Sequence, residues 1–308
     1  MSVLETLGST RATRATRAIS TPIRRRAGTP RRRLGRAAHY AALLALAAVF
    51  AFPFYWMFVT SVEPAGRLGD VPPNLLPLWD WRNYADAWSA VANPGWLRYF
   101  ANTVFIAGAT TALALVTSLL AAYAFATLRF PGKNLLFAAV LVVLVVPDEV
   151  ILIPQYQILG GLGWLDTYQA QIVPFGASAF GVFLLRQVFL GLPKELWDAA
   201  RIDGCSHTGY LVRVAAPLAS PALIAVALYT FLGSWNQFLY PLVVTTSPLV
   251  QPIQVGLAAF LGVPHSVQYG QLAAASAFTI LPILAIFLLA QRVIIEGVAT
   301  AGGGALKG

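Results

Sequence analysis

The stretch ELWDAARIDGCSHTGYLVRVAAPLASP, residues 195–221, gathers Glu195, Asp198, Arg201, Asp203 and Arg213 between two long apolar runs almost free of charge. What this stretch does depends on the solvent around the rest of the chain. Of its 308 residues 58% are hydrophobic and only 11% are charged, against about 25% charged in an ordinary soluble domain. That balance belongs to an integral membrane protein, and its six long apolar runs make an all-α one the expectation. Cys205 is the single cysteine, which excludes an internal disulfide and a cysteine-based metal site. The net charge of +9 is local, because ten of the 21 Lys and Arg lie in residues 1–36. That segment has too few large apolar residues to bury a core and reads as a disordered basic cytoplasmic tail. It has no interleaved aromatics to stack on bases, so no nucleic-acid partner is expected. RRRLGR before an apolar run also fits an export signal, but the run is too long for a signal core and five more follow, which favours a retained anchor.

A bilayer core about 30 Å thick needs roughly 20 apolar residues in a helix. Six segments qualify, at residues 37–61, 101–127, 134–155, 168–189, 218–243 and 272–295, and they define a permease domain over 37–295. Pro147, Asp148 and Glu149 interrupt the third. Prolines within the spans require neighbouring helices or water to satisfy freed carbonyls, which implies a packed bundle. Alternate connecting segments, taken with the span ends, hold 18 Lys and Arg on one side and three on the other. Positive charge stays in the cytoplasm, so both termini are expected there, with the 190–217 connection and a short tail at 296–308.

Within that connection Pro193 suits the first turn of a helix. Leu196, Ala199, Ala200 and Asp203 then recur at helical spacing, giving one small, mostly apolar face. Two adjacent alanines allow another surface to approach closely. Gly204 lets the backbone break the helix, and Val214, Ala216 and Pro217 mark the return to the membrane.

The pattern Asp198-Ala199-Ala200, three residues, Gly204, nine residues, then Val214-x-Ala216-Pro217 resembles the EAA loop of ABC-importer permeases. Its spacing is intact, with Asp for Glu, Val for Ile and Ala for Leu. AAYAFATLRFPGKNLL (121–136), VPDEVILIPQYQILGGLGWLDT (146–167), GSWNQFLYPL (233–242) and the end of the chain are similar to the second permease subunit of maltose-type carbohydrate importers. Glu296 stands where that subfamily commonly has a basic residue. The resemblance implies a type I ABC-importer permease with six transmembrane helices. Its partners would be a second permease, two cytoplasmic ABC ATPases that bind ATP and Mg, and an extracytoplasmic solute-binding protein. It also implies a prokaryotic cytoplasmic membrane and a sugar-like solute. The chain has no G-x-x-x-x-G-K-[ST] loop, since Gly132-Lys133 is followed by Asn134, so it is not expected to hydrolyse ATP itself.

The coupling surface is therefore expected at Glu195, Asp198, Ala199, Ala200, Asp203, Gly204 and Pro217. Trp235, Asn236 and Gln237 lie about 27 Å along the fifth helix from Pro217 and suit a sugar's C–H faces and hydroxyls. They equally suit an interfacial tryptophan and interhelical amides. Asp148 and Glu149 are candidate gate residues at membrane depth. Residues 244–271 contain no Lys, Arg, Asp or Glu. Family resemblance makes this segment a scoop entering the binding protein's cleft, with Gln254, Gly256 and Leu257 in contact. An ion-coupled secondary transporter is the alternative, but no paired midplane ionisable residues support it. His39, His207 and His265 are too scattered to form a metal set.

Overall fold

The computed structural model describes residues 30–64, 67, 70, 72–91, 94–258, 260–261 and 269–303, with side chains at 38–286 and at 288 within those ranges. Most of the basic tail, residues 1–29, and residues 304–308 lie outside them. The chain divides into two compact units, residues 1–53 and 54–308. The helices are α1 Pro30–Ser61, α2 Arg82–Ala90, α3 Trp96–Thr127, α4 Lys133–Val143, α5 Asp148–Gly161, α6 Tyr168–Ile172, α7 Ala179–Leu190, α8 Lys194–Ile202, α9 His207–Tyr210, α10 Ala216–Leu218, α11 Ser220–Asn236, α12 Leu239–Val244, α13 Ile253–Ala258 and α14 Tyr269–Gly303. No strand occurs among the described residues.

Four helical stretches are long and apolar enough to cross a membrane: Ala38–Ser61, Trp96–Thr127, Tyr168–Leu190 and Tyr269–Ile286. The expected third span, 134–155, is broken into α4 and α5 at an angle of 101°. Pro147 precedes α5 in extended conformation; it lacks an N–H and disfavours helical geometry in the residue before it. The expected fifth span, 218–243, is also interrupted. The helical segments of His207–Leu218 meet α11 at 81°, and α11 ends at Asn236, after which Gln237 is extended. Large apolar side chains such as Leu135, Val142 and Val145 are more than half exposed. In a membrane protein this is the surface offered to lipid or to a partner subunit.

Helix α3 is the central element of the second unit, packing on both α7 and α11. Small residues permit the close approach: a Cβ on Gly181 of α7 would lie 2.6 Å from Ser118 Oγ of α3 and 2.9 Å from Val226 Cγ1 of α11. At the end of α3 the orphan carbonyls are satisfied by cations. Lys133 Nζ donates to Leu128 O at 2.9 Å, and Arg186 Nε donates to Phe125 O at 3.2 Å while its guanidinium lies over the Phe137 ring. This places positive charge at the negative end of the helix dipole.

At the opposite end of α3, polar side chains hold the 245–253 segment. Asn102 Nδ2 donates to Leu249 O and Gln251 O at 3.0 and 2.8 Å, Gln171 Nε2 donates to Val250 O, and Thr103 Oγ1 accepts from Ile253 N. The Tyr168 hydroxyl completes the set by donating to Asn102 Oδ1 at 2.7 Å. Asp166, in left-handed backbone geometry at φ 61°, accepts from Ser247 N at 2.7 Å, from Thr246 N and from the Thr246 hydroxyl.

Those hydrogen bonds, Ser247 N–H foremost and then the Thr246 hydroxyl, hold the Asp166 carboxyl below the usual carboxylate range. Because the folded value is depressed, the stabilisation is complete above the ordinary Asp value of about 3.9. It is lost as pH falls through the depressed folded value. Asp166→Ala is expected to cost about 1–2 kcal/mol at neutral pH. Thermal melting of the detergent-purified chain should show a wild-type advantage at pH 7 that vanishes in strong acid; an equal difference at both pH values would exclude the carboxylate as its source.

Candidate coupling surface and translocation path

Helix α8 begins at Lys194, after Pro193, with Glu195 in its first turn and Arg201 in its last, the charge order the helix dipole favours. It stops as a glycine-capped helix does. Gly204 takes φ +75°, its N–H donates to Arg201 O at 3.1 Å, and Cys205 N–H reaches back to Ala200 O at 2.9 Å. Ser206 then caps α9, its hydroxyl accepting from Gly209 N. A π-helical turn, Leu211–Ala215, leads to Pro217 in α10.

The two alanines face different surroundings, as adjacent helical residues do at 3.6 residues per turn. Ala200, with Trp197 and Cys205, packs on a core that includes Tyr123, Phe189 and Tyr210. The Trp197 ring stacks on His207, with centroids 4.3 Å apart, and the Tyr123 hydroxyl pairs with His207 Nδ1 at 2.9 Å. Ala199 is exposed, together with Glu195, Asp198, Asp203 and Gly204. The two alanines of the expected face thus differ, Ala200 being half-buried, and the exposed apolar residues of the helix are Leu196, Ala199 and Ile202, the last 86% exposed. Sequence spacing misses Ile202 because it lies outside the family pattern, although its position seven after Glu195 is visible.

The expected path residues also separate. Trp235 is 1% exposed and wedged between Phe100 and Phe231, so its ring is part of the chain's own packing and presents no face to a solute here. Asn236 is exposed, its Nδ2 donating to Leu232 O at 2.8 Å, and Gln237 is half-buried at the helix break. Glu149, with Asp148, is exposed in the first turn of α5, where acids favour the dipole.

The residues expected to contact the binding protein, Gln254, Gly256 and Leu257, also make contacts within their own chain. Gly256 is buried, and a Cβ on it would lie only 3.1 Å from the Tyr99 ring. Leu257 packs on the cluster around Trp96 and Tyr99, and Gln254 Nε2 donates to Trp235 O at 3.3 Å. Gly256 is buried with Ile253 and Val255, while Gln254 and Leu257 are half-buried, and this partial burial suits the lack of charge in residues 253–258. Residues 259 and 262–268 of the expected scoop lie outside the described residues. Asn102 and Asp166, which hold the neighbouring segment, are not singled out by sequence; the signal available is a lone amide and a lone acid bordering apolar runs.

The family model described as "Binding-protein-dependent transport system inner membrane component" matches residues 87–299. The chain is 34% identical over 265 residues to the arabinooligosaccharides transport system permease protein AraQ of Bacillus subtilis, covering 83% of this chain and 92% of that one. It is 33% identical to the trehalose/maltose transport system permease protein MalG of Thermococcus litoralis, over 85% and 94% of the two chains. Its fold matches a chain in the crystal structure of a bacterial ABC transporter involved in the import of the acidic polysaccharide alginate, with TM-score 0.75, 22% identity, and 86% and 98% coverage. The helices of this multi-pass membrane protein and its matched residues together place the chain in the family of binding-protein-dependent transport system inner membrane components.

Proposed function

We propose that the chain is a transmembrane permease subunit of an ATP-driven importer for a carbohydrate or a related polyol or sugar phosphate. Each bent helix pair counts as one of six spans, and both termini are cytoplasmic. A second permease completes the path. Two cytoplasmic ATPases bind ATP and Mg, and an extracytoplasmic binding protein delivers the solute. The observation that carries the energy-coupling part of this reading is α8, whose Leu196, Ala199 and Ile202 project outward from a helix anchored by Trp197 and Ala200. Such a helix is a rigid, partly apolar knob suited to a groove in a soluble partner. Motion of that partner would be passed through the Gly204 break to Pro217 and α11. Asn236 and Gln237 supply amides at the broken end of α11, where a solute's hydroxyls can be met, and Glu149 is the acidic group offered at the α4–α5 break.

The subunit's relatives named for arabinooligosaccharides and for trehalose/maltose support the carbohydrate class. The test is uptake of labelled maltose and arabinooligosaccharides by vesicles reconstituted with both permeases, the ATPases and the binding protein. Uptake should require internal ATP and the binding protein. Uptake driven by a sodium or proton gradient without ATP would replace this reading with an ion-coupled transporter.

A further inference from the structure

We infer that the cavity between α8 and the end of α3 is a binding site for a phosphate-class anion, a phosphomonoester or phosphodiester group. The cavity measures about 560 Å³. Arg129, Lys194 and Arg201 line it, and Asp198 is the one carboxylate in its wall. None of the three cations has an ion pair or hydrogen bond among the described residues. Three positive side chains from two segments of the chain thus converge on one hollow with a single acid to offset them. The rest of the wall is uncharged, and Trp197, His207, Tyr123 and Tyr210 belong to its aromatic part. Stacking of His207 on Trp197 and its bond to the Tyr123 hydroxyl fix that wall.

An uncompensated cationic hollow attracts an anion, and two arginines favour a phosphate because each guanidinium fork matches two oxygens of one group. Lys194 adds a point charge. The neighbouring cations Lys133 and Arg186 are different: their donors are already committed to the carbonyls at the end of α3. The volume admits a phosphate together with a short polar carrier. An occupant would bridge α8 to the end of α3 and so restrain the helix proposed above to carry coupling. Its placement on the cytoplasmic side rests on the permease orientation proposed above. Two sources carry this chemistry there, an anionic phospholipid headgroup from the inner leaflet and a soluble phosphate compound.

The test uses the purified complete transporter in phosphatidylcholine nanodiscs, titrated with radiolabelled inorganic phosphate. A parallel preparation contains photoactivatable phosphatidylglycerol and is irradiated for peptide mapping. Saturable phosphate binding identifies a soluble source, and crosslinks within residues 123–129 or 194–207 identify the leaflet. The double variant R129Q/R201Q, at exposed positions that do not support the core, should lower whichever signal is seen by about tenfold or more. K194Q should lower it by a smaller factor. R213Q, which removes an exposed cation of the same loop outside the cavity, should change it less than about twofold. Absence of both signals, or an equal loss in R213Q, overturns the site. ATP hydrolysis stimulated by the binding protein is measured on the same nanodiscs. Normal stimulation without anion binding removes this site alone, whereas anion binding without stimulation retains the site and counts against the transport reading.

Discussion

Ala199→Trp is expected to abolish stimulation of ATP hydrolysis by the loaded binding protein, and transport with it, while leaving the amount of folded permease in the membrane unchanged. Ala199 is exposed, so an indole there meets nothing in its own chain, and surface substitutions of this kind shift stability by no more than about 0.5 kcal/mol. The same indole stands between Leu196 and Ile202 on the outward face of α8 and would hold an ATPase surface away. Losing a packed contact of this kind costs about 2 kcal/mol or more, and stimulated hydrolysis should fall by well over tenfold. Ala200→Trp separates the two sides of the helix. Its side chain packs against the core beside Trp197, so the expected result is reduced folded protein, not a folded and uncoupled subunit. Asp198→Asn should weaken assembly by no more than about 1 kcal/mol, as expected of an exposed rim charge. Reconstituted vesicles with quantified permease decide the matter: Ala199→Trp at wild-type stimulation and transport would exclude this face as the coupling surface.

The contrast between the two alanines shows what the sequence can and cannot convey. Helix α8 runs from Lys194 to Ile202, between the Pro193 and Gly204 that sequence marks as its limits, because proline, glycine and the charges between them act through local backbone chemistry. Its inward face depends on Trp197 stacking on His207, which bonds to Tyr123, 84 residues away in the chain, and no local pattern encodes that meeting. The same division holds for the spans. Apolar length marks six segments where the structure gives four spans, or six if each bent pair is one, and Pro147, which reads as an interruption, lies at a bend of 101°, an angle the apolar pattern does not specify. The charge-free 244–271 segment reads as an insert for a partner's cleft. Its described part is held by Asn102, Gln171 and Asp166, and the contact of Gly256 with Tyr99 needs two elements far apart in the chain to be known together. Composition reveals that such a segment must be covered; it does not say by what.

The largest loss of stability is expected from Gly181→Leu, at the meeting of α3, α7 and α11. Ser118 and Val226 are both fully buried there, and even a single Cβ at 181 would lie 2.6 Å from Ser118 Oγ and 2.9 Å from Val226 Cγ1. Real Cβ contacts do not come so close, so a leucine must push the helices apart. Overpacking of a tight core commonly costs about 1–3 kcal/mol. Here three helices must move together, and a loss of about 3 kcal/mol or more is expected. Small residues govern how closely transmembrane helices approach, so the effect should appear as loss of the monodisperse chain in detergent and a lower melting temperature. Gly233→Leu is the matched control, because a Cβ at that position meets nothing within 4 Å; it should leave the isolated chain's melting almost unchanged. Gly181→Ala tests the geometry directly, since Ser118→Gly in the same chain removes the 2.6 Å contact and should restore part of the lost stability. If Gly181→Ala melts like wild type, or if Ser118→Gly lowers its melting further, the close approach of α7 to α3 is not what limits the residue at this position.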